Sequence, residues 1–120
     1  MRNGFCFELY EKIFRNCFIH SSRYTNGNLP LSLFGFDESI NQIAHFTDIT
    51  LNQNNRILNS NEIIVDCKYK PNIIPQLKKL GIIKEQVGIY VDKYTLYPIY
   101  TIDQTKVNQK SYCMHELVAA

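Results

Sequence analysis

Apolar and polar positions alternate with period two along much of this chain, the repeat that sends successive side chains to opposite faces of a strand. The segment Cys17-Phe18-Ile19-His20-Ser21-Ser22-Arg23-Tyr24 runs through Thr25-Asn26-Gly27-Asn28 into Leu29-Pro30-Leu31-Ser32-Leu33-Phe34. Asn26-Gly27 supplies the two positive-φ positions of a type I′ turn, and Leu29, Leu31 and Leu33 share one face, so a hairpin is predicted. Pro30 cannot donate to a ladder, which predicts an open edge on one side of its strand. Gly35 to Ser39 reads as a turn, after which Ile43, His45, Thr47, Ile49 and Leu51 alternate as a third, antiparallel strand.

Residues 52–61 hold five asparagines and one glutamine and read as a loop. Ile63, Ile64 and Val65, bounded by Glu62 and Asp66, have the β-branched character of a central strand. Ile73, Leu77 and Leu80 then recur at helical spacing, with Pro75 in the first turn and Gly81 as the stop. One short helix near 72–80 follows, its last turn carrying Lys78 and Lys79, where the helix dipole favours cations. Val87–Val91 and Leu96–Ile102 form a last hairpin about Asp92-Lys93.

The first 16 residues fit two periods, a helix through Phe5, Leu9 and Ile13 or a strand through Phe5, Phe7 and Leu9, and the helix is the preferred reading. Beyond Asp103, Tyr112, Met114, Leu117 and Val118 stand among polar residues, either a short docked helix or a frayed end. The expected fold is α+β: one domain over 1–120 with its core in 14–103, mainly an antiparallel sheet of about five to six strands. The short helix packs on that sheet, an N-terminal helix precedes it, and residues 104–120 form the tail.

Composition narrows the function classes. A chain of 120 residues with 45% hydrophobic and 20% charged residues belongs with globular domains. A net charge of +2 points neither to a strongly basic nucleic-acid binder nor to an acidic DNA mimic. No apolar run has the length of a signal peptide or a membrane span, so a soluble, cytoplasmic protein with no membrane partner is expected. The usage of 15 Ile, 12 Asn and 9 Lys is typical of A/T-rich codons and hints at a microbial or phage genome. Cys6, Cys17, Cys67 and Cys113 include no Cys-x-x-Cys pair, and His20, His45 and His115 are scattered, so neither a metal nor a cofactor is expected.

The order of these signals resembles a small domain family of unknown function found in bacterial conjugative and other mobile elements. The likeness rests on Tyr24-Thr25-Asn26-Gly27-Asn28-Leu29, the strand Thr47 to Leu51, Ile64-Val65-Asp66, Leu80-Gly81-Ile82 and Tyr97-Pro98-Ile99-Tyr100-Thr101-Ile102-Asp103, together about residues 21 to 103. Cys67-Lys68 stands where the family tends to carry an Asn after the strand-end Asp, and Asp92-Lys93-Tyr94 where it has a glycine-rich turn. The resemblance implies a small α+β protein in a mobile-element context and lends no catalytic residue.

Three constellations remain. Lys68, Tyr69, Lys70, Lys78, Lys79 and Lys84 could track a phosphate backbone, although a solvated helix end and loop is the commoner meaning of such a run. Tyr90, Tyr94, Tyr97 and Tyr100 crowd the last hairpin, where outward tyrosines would anchor a partner and inward ones would fill the core. Asp66 ends an apolar strand and is either a cleft carboxylate or a turn-forming Asx residue. No phosphate loop or nucleophile elbow is present.

The sequence therefore predicts a non-enzymatic binding protein, resembling anti-CRISPR inhibitors in size and character, whose partner is a host defence protein, an RNA-guided nuclease or its guide RNA. An accessory module for RNA or single-stranded DNA is the alternative. A small carboxylate-dependent hydrolase is a further one.

Overall fold

The computed structural model describes residues 4–9, 12–21, 30–37, 39–51 and 58–111. The Asn26-Gly27 turn, Leu29 and the tail positions Tyr112, Met114, Leu117 and Val118 lie outside them. The element order is β1 (Phe5–Leu9), β2 (Lys12–Ser21), β3 (Leu31–Asp37), β4 (Gln42–Asp48), β5 (Glu62–Ile64), α1 (Ile73–Lys79), β6 (Ile83–Asp92), β7 (Thr95–Ile102) and α2 (Gln104–Gln109). All strand pairs are antiparallel, in a four-stranded sheet of order β1-β2-β3-β4 and a three-stranded sheet of order β5-β7-β6.

An α+β fold dominated by antiparallel strands is what the chain forms, but the single sheet of five to six strands is corrected: the described residues form seven strands in two sheets. The sheets meet at one bridge, Thr50 to Val65. There Leu51 N–H donates to Ile64 O, and Asp66 N–H to Ile49 O, each at 2.9 Å. Folding the ladder at this point wraps both sheets around one core. Phe7, Leu9, Ile19 and Leu33 enter it from the first sheet, Ile63, Tyr100 and Ile102 from the second, Ile73 and Leu77 from α1, and Val107 from α2. A flat seven-stranded sheet would leave far more apolar face than two helices of seven and six residues can cover. The core thus reaches beyond 14–103 at both ends.

The N-terminal helix is not formed; residues 5–9 and 12–21 are strands. Phe7 and Leu9 are buried while Cys6 and Glu8 are exposed, so the period-two reading buries two large side chains where a helix would scatter them. The exposed edge of β1 is closed by a side chain from α1: Gln76 accepts from Glu8 N–H at 2.7 Å and donates to Glu8 O, standing in for a neighbouring strand.

Pro30 does not mark an edge. It precedes β3, which is an inner strand paired with β2 and β4. Nor is Gly35–Ser39 a turn. Gly35, Phe36 and Asp37 continue β3, and the reversal lies beyond them, where Ser39 N–H donates to Asp37 Oδ1 at 3.0 Å and Asn41 adopts φ 53°. The alternation from Ile43 to Leu51 breaks at a bulge: Leu33 faces Thr47 but Phe34 faces His45, leaving Phe46 as the extra residue. Hence Thr47 and Ile49 are buried and His45 is exposed.

The helix near 72–80 is α1, with Ile73 and Leu77 buried and Gly81 at φ 77° beyond its end. It is joined by a second helix, α2, in the first part of the tail, where the Asp103 carboxylate accepts from Lys106 N–H at 3.2 Å as its N-cap. Beyond α2, Lys110 O accepts from Ile19 N–H at 2.7 Å, filling the β2 edge past β1. In the last hairpin Asp92 pairs with Thr95, so the turn is Lys93-Tyr94, one residue later than the pattern indicated, with Lys93 at φ 55°. Among the described residues no helix is long and apolar enough to cross a membrane.

Cys17 is wholly buried, and burial, together with Cys6 nearby, pushes its thiol from 9.0 up to about 12 despite a backbone hydrogen bond at Phe7. A thiol raised in the folded state adds nothing below its unfolded pKa; above pH 9.0 the unfolded chain ionises first, so stability falls as pH rises toward about 12. At pH 8 an alkylating reagent will modify exposed Cys6 in the native protein and spare Cys17 until denaturant is added. Peptide mapping by mass spectrometry reads both, and equal native labelling of the two would contradict the packing described.

Candidate interaction surface

β6 and β7 form a twisted two-stranded ladder whose faces have different fates. Tyr90 lies opposite Tyr97, and Gly88 opposite Ile99. On this face Tyr97 and Ile99 are buried with Ile64, and Tyr90 packs partly against them, its ring 6.4 Å from that of Tyr97. The other face carries Val91 opposite Leu96 and Ile89 opposite Pro98, then Tyr100 and Ile102 farther along β7. Tyr100 and Ile102 are roofed by the shared core beside α1. Toward the tip the roof ends: Ile89, Val91 and Leu96 are exposed at 51%, 57% and 60%, and Val87, the extra residue at the bulge between Gln86 and Gly88, is exposed at 49%.

The four tyrosines therefore divide. Of the candidate partner-binding residues Tyr90, Tyr94, Tyr97 and Tyr100, Tyr97 and Tyr100 are the inward ones: they are buried and hold the core, which corrects their assignment to a partner surface. Tyr90 is half-buried, and Tyr94 stands fully exposed at the turn. The exposed apolar residues that accompany Tyr94 are valine, isoleucine and leucine, which the aromatic count passed over.

The basic run is likewise redistributed. Lys70 is only 10% exposed; its Nζ donates to Asp48 O at 2.6 Å and pairs with Asp66 Oδ2 at 3.1 Å. It ties β4 to the turn after β5 and is committed to the fold, so it is corrected from phosphate ligand to structural cation. Asp66, the strand-end carboxylate, is Lys70's partner. Lys78 Nζ sits 5.5 Å from the ring centre of Tyr100, and Lys68 Nζ 5.3 Å from that of Tyr69, itself exposed on a backbone of φ 60°. Lys79 and Lys84 are exposed on α1 and β6. The lysines thus belong to three elements, the 68–70 turn, α1 and β6.

On the outer face of the larger sheet, Phe34 lies between His20 and His45, with ring centres 5.3 and 5.1 Å away. His45 Nε2 and Asp48 Oδ1 are 2.8 Å apart, and Ser32 Oγ donates to the same oxygen at 3.0 Å. Partial burial pushes the Asp48 carboxyl up, but the hydrogen bonds from His45 and Ser32 and the charges of His45 and Lys70 outweigh it and hold the group below its ordinary value. Among the described residues no three His, Cys, Asp or Glu side chains cluster as metal ligands do. Compared with protein-family models, curated proteins and solved structures, the chain matches none significantly.

Proposed function

We propose that this protein is a non-enzymatic binding protein of a phage or mobile element that blocks host defence by docking on an RNA-guided effector nuclease. The observation that carries the binding role is the unroofed apolar face of the β6–β7 hairpin, Ile89, Val91 and Leu96, with Tyr94 at its tip and Val87 exposed at the neighbouring bulge. Water-exposed β-branched residues on a sheet tip cost free energy in the isolated chain, and a protein partner that covers them recovers it. The mobile-element context comes from the sequence resemblance over residues 21 to 103 and from the A/T-rich residue usage, and the class of target from the likeness to anti-CRISPR inhibitors in size and character. An apolar anchor favours a protein target over a phosphate backbone, whose recognition would lean on the lysines.

The test is capture of purified RNA-guided effectors, with and without guide RNA, by the tagged protein at low and moderate salt. One effector should remain bound at moderate salt and its cleavage should stop. The double variant Tyr94→Ala with Leu96→Asp, both on exposed side chains, should weaken that binding at least about tenfold. Binding of mixed RNA that vanishes as salt rises, and that falls with Lys68, Lys79 and Lys84 changes, would replace this function with the nucleic-acid module. Silence across the panel would end the inhibitor proposal.

A further inference from the structure

The geometry points to a small-ligand site, for a guanine base, in the cleft that opens where β2 and β3 part. β2 stays beside β3 only as far as Cys17 opposite Gly35, while β3 runs on through Phe36 and Asp37 beside β4. The parting is built into β2. Between Phe5 opposite Cys17 and Phe7 opposite Phe14, one residue of β1 faces two of β2, Arg15 and Asn16, and Asn16 takes φ 56°. Such a bulge bends its strand and re-aims the side chains on it. The gap left between the strands holds about 400 Å³, inside the range of about 300–1,000 Å³ that small-molecule sites occupy.

Three aromatic rings line the cleft, those of Phe14, Phe36 and Phe46. Phe14 and Phe46 stack on each other at 4.5 Å, and the Phe46 ring is seated over Gly35, so this aromatic wall is fixed in place. The polar groups stand on opposite walls: Arg15 with Asn16 on β2, and Asp37 with Ser39 where β3 gives way to the reversal before β4. Ser39 orients Asp37, its N–H and O–H both donating to Oδ1, at 3.0 and 2.6 Å. Among the described residues the ion pairs are His45 with Asp48 and Lys70 with Asp66, so the Arg15 guanidinium and the Asp37 carboxylate line the cleft without closing on each other.

A planar aromatic ligand suits the rings, and the two walls say which one. It must turn a pair of acceptors to the Arg15 fork and a pair of donors to the Asp37 carboxylate, which only accepts. Guanine does both in one plane, with O6 and N7 on one edge and N1–H and the N2 amino group on the next. Uracil carries a carbonyl on each side of its one N–H and would set oxygen against Asp37. Adenine places an amino group beside N7, and so a donor against Arg15. Cytosine meets both walls only in part, with a single amino donor and a smaller ring to stack. The base can belong to a free nucleotide or to an unpaired position in RNA, since neither sugar nor phosphate enters the recognition. This site belongs to the larger sheet, apart from the β6–β7 hairpin, and does not depend on the defence target.

The test is an NMR titration of the full chain with GMP, AMP, CMP and UMP, and with a uridine pentamer carrying or lacking one central guanine. GMP should shift the Phe36 and Phe46 ring signals and bind with a Kd between about 10 μM and about 1 mM, at least about tenfold tighter than AMP or UMP. IMP, which lacks the N2 amino group, should bind about tenfold more weakly than GMP, and Asp37→Asn should shrink that difference. Arg15→Gln, on an exposed side chain, should weaken GMP at least about tenfold and leave the fold unchanged. A guanine pentamer that binds tighter than GMP would place the base within RNA, and equal binding would make the free nucleotide sufficient; both support the site. No ring shift with about 5 mM GMP or with the pentamer overturns it. So do equal affinities for all four nucleotides, tighter binding of free phenylalanine or tyrosine, or Arg15→Gln binding GMP as well as the native chain. If GMP fails while an effector is still captured, only this site falls.

Discussion

Replacing Gly35 with alanine will destabilise the protein by about 3 kcal/mol, read as a lower urea midpoint with an unchanged slope. A Cβ on Gly35 would run into the Phe46 ring, with Cζ at 2.8 Å, and would lie 3.1 Å from Asn16 O. The ring has little freedom to retreat, because it stacks on Phe14 at a centroid distance of 4.5 Å with an interplanar angle of 24°. The β4 bulge is what brings the two together, by turning the extra residue Phe46 onto the inner face across from a residue with no side chain.

Phe46→Ala alone should cost about 2 kcal/mol through lost packing, since Phe46 is only partly buried. Because it also opens the space that a new Cβ needs, the double variant should be more stable than the sum of the two changes by about 1–2 kcal/mol. Additive costs would mean that Gly35 is there for its backbone freedom alone.

Lys70→Met should lower stability by about 2–3 kcal/mol. The change leaves the Asp66 carboxylate, 25% exposed, without its cation and the Asp48 carbonyl without its donor, at the place where the two sheets are joined. Asp66→Asn on its own should cost less, because the amide keeps a hydrogen-bonding oxygen for Lys70, and adding it to Lys70→Met should restore part of the loss. Thermal melts at neutral pH measure all three. Lys70→Met as stable as the native chain would show that the pair contributes nothing.

Loss of Lys70 should also let the Asp48 carboxyl rise toward its ordinary value, since the lysine charge is one of the effects holding it down. A depressed carboxylate stabilises above its unfolded pKa and loses that contribution as pH falls through its folded one, so the variant should show a shallower acid-side decline. An NMR titration of Asp48 checks the direction. Any test of nucleic-acid binding through Lys70 is confounded by this role, which is why the lysines suited to that test are Lys68, Lys79 and Lys84.

Legibility from the sequence followed the range of the forces involved. α1 was readable because its evidence lies within one segment: Ile73 and Leu77 on one face, Pro75 where no N–H is needed, and Gly81 where φ is positive. The strands β2, β3, β6 and β7 were readable from alternation, which is also local. The first 16 residues allowed two periods, and the choice was made by partners far along the chain, β2 beside β1 and Gln76 on its edge. Gly35 looked like a turn residue because its reason, the ring of Phe46 on the next strand, has no local signature.

The same distinction separates the two halves of the candidate surface. Alternation of Val87, Ile89 and Val91 announces one apolar face, and in sequence such a face means core. Whether a face is roofed depends on segments far away in the chain, and the shared core takes in Tyr100 and Ile102 but not Leu96. Likewise four tyrosines in one hairpin cannot be told apart by composition, yet register buries Tyr97 and Tyr100 and leaves Tyr94 in water.

By itself, then, the amino-acid sequence determined the antiparallel β-rich character and the position of the short helix, since each is written in neighbouring residues. Only the tertiary structure decided the split into two sheets, the burial of Lys70, and which apolar face goes uncovered. Those depend on contacts between segments far apart in the chain, where the packing of a shared core outweighs any local preference.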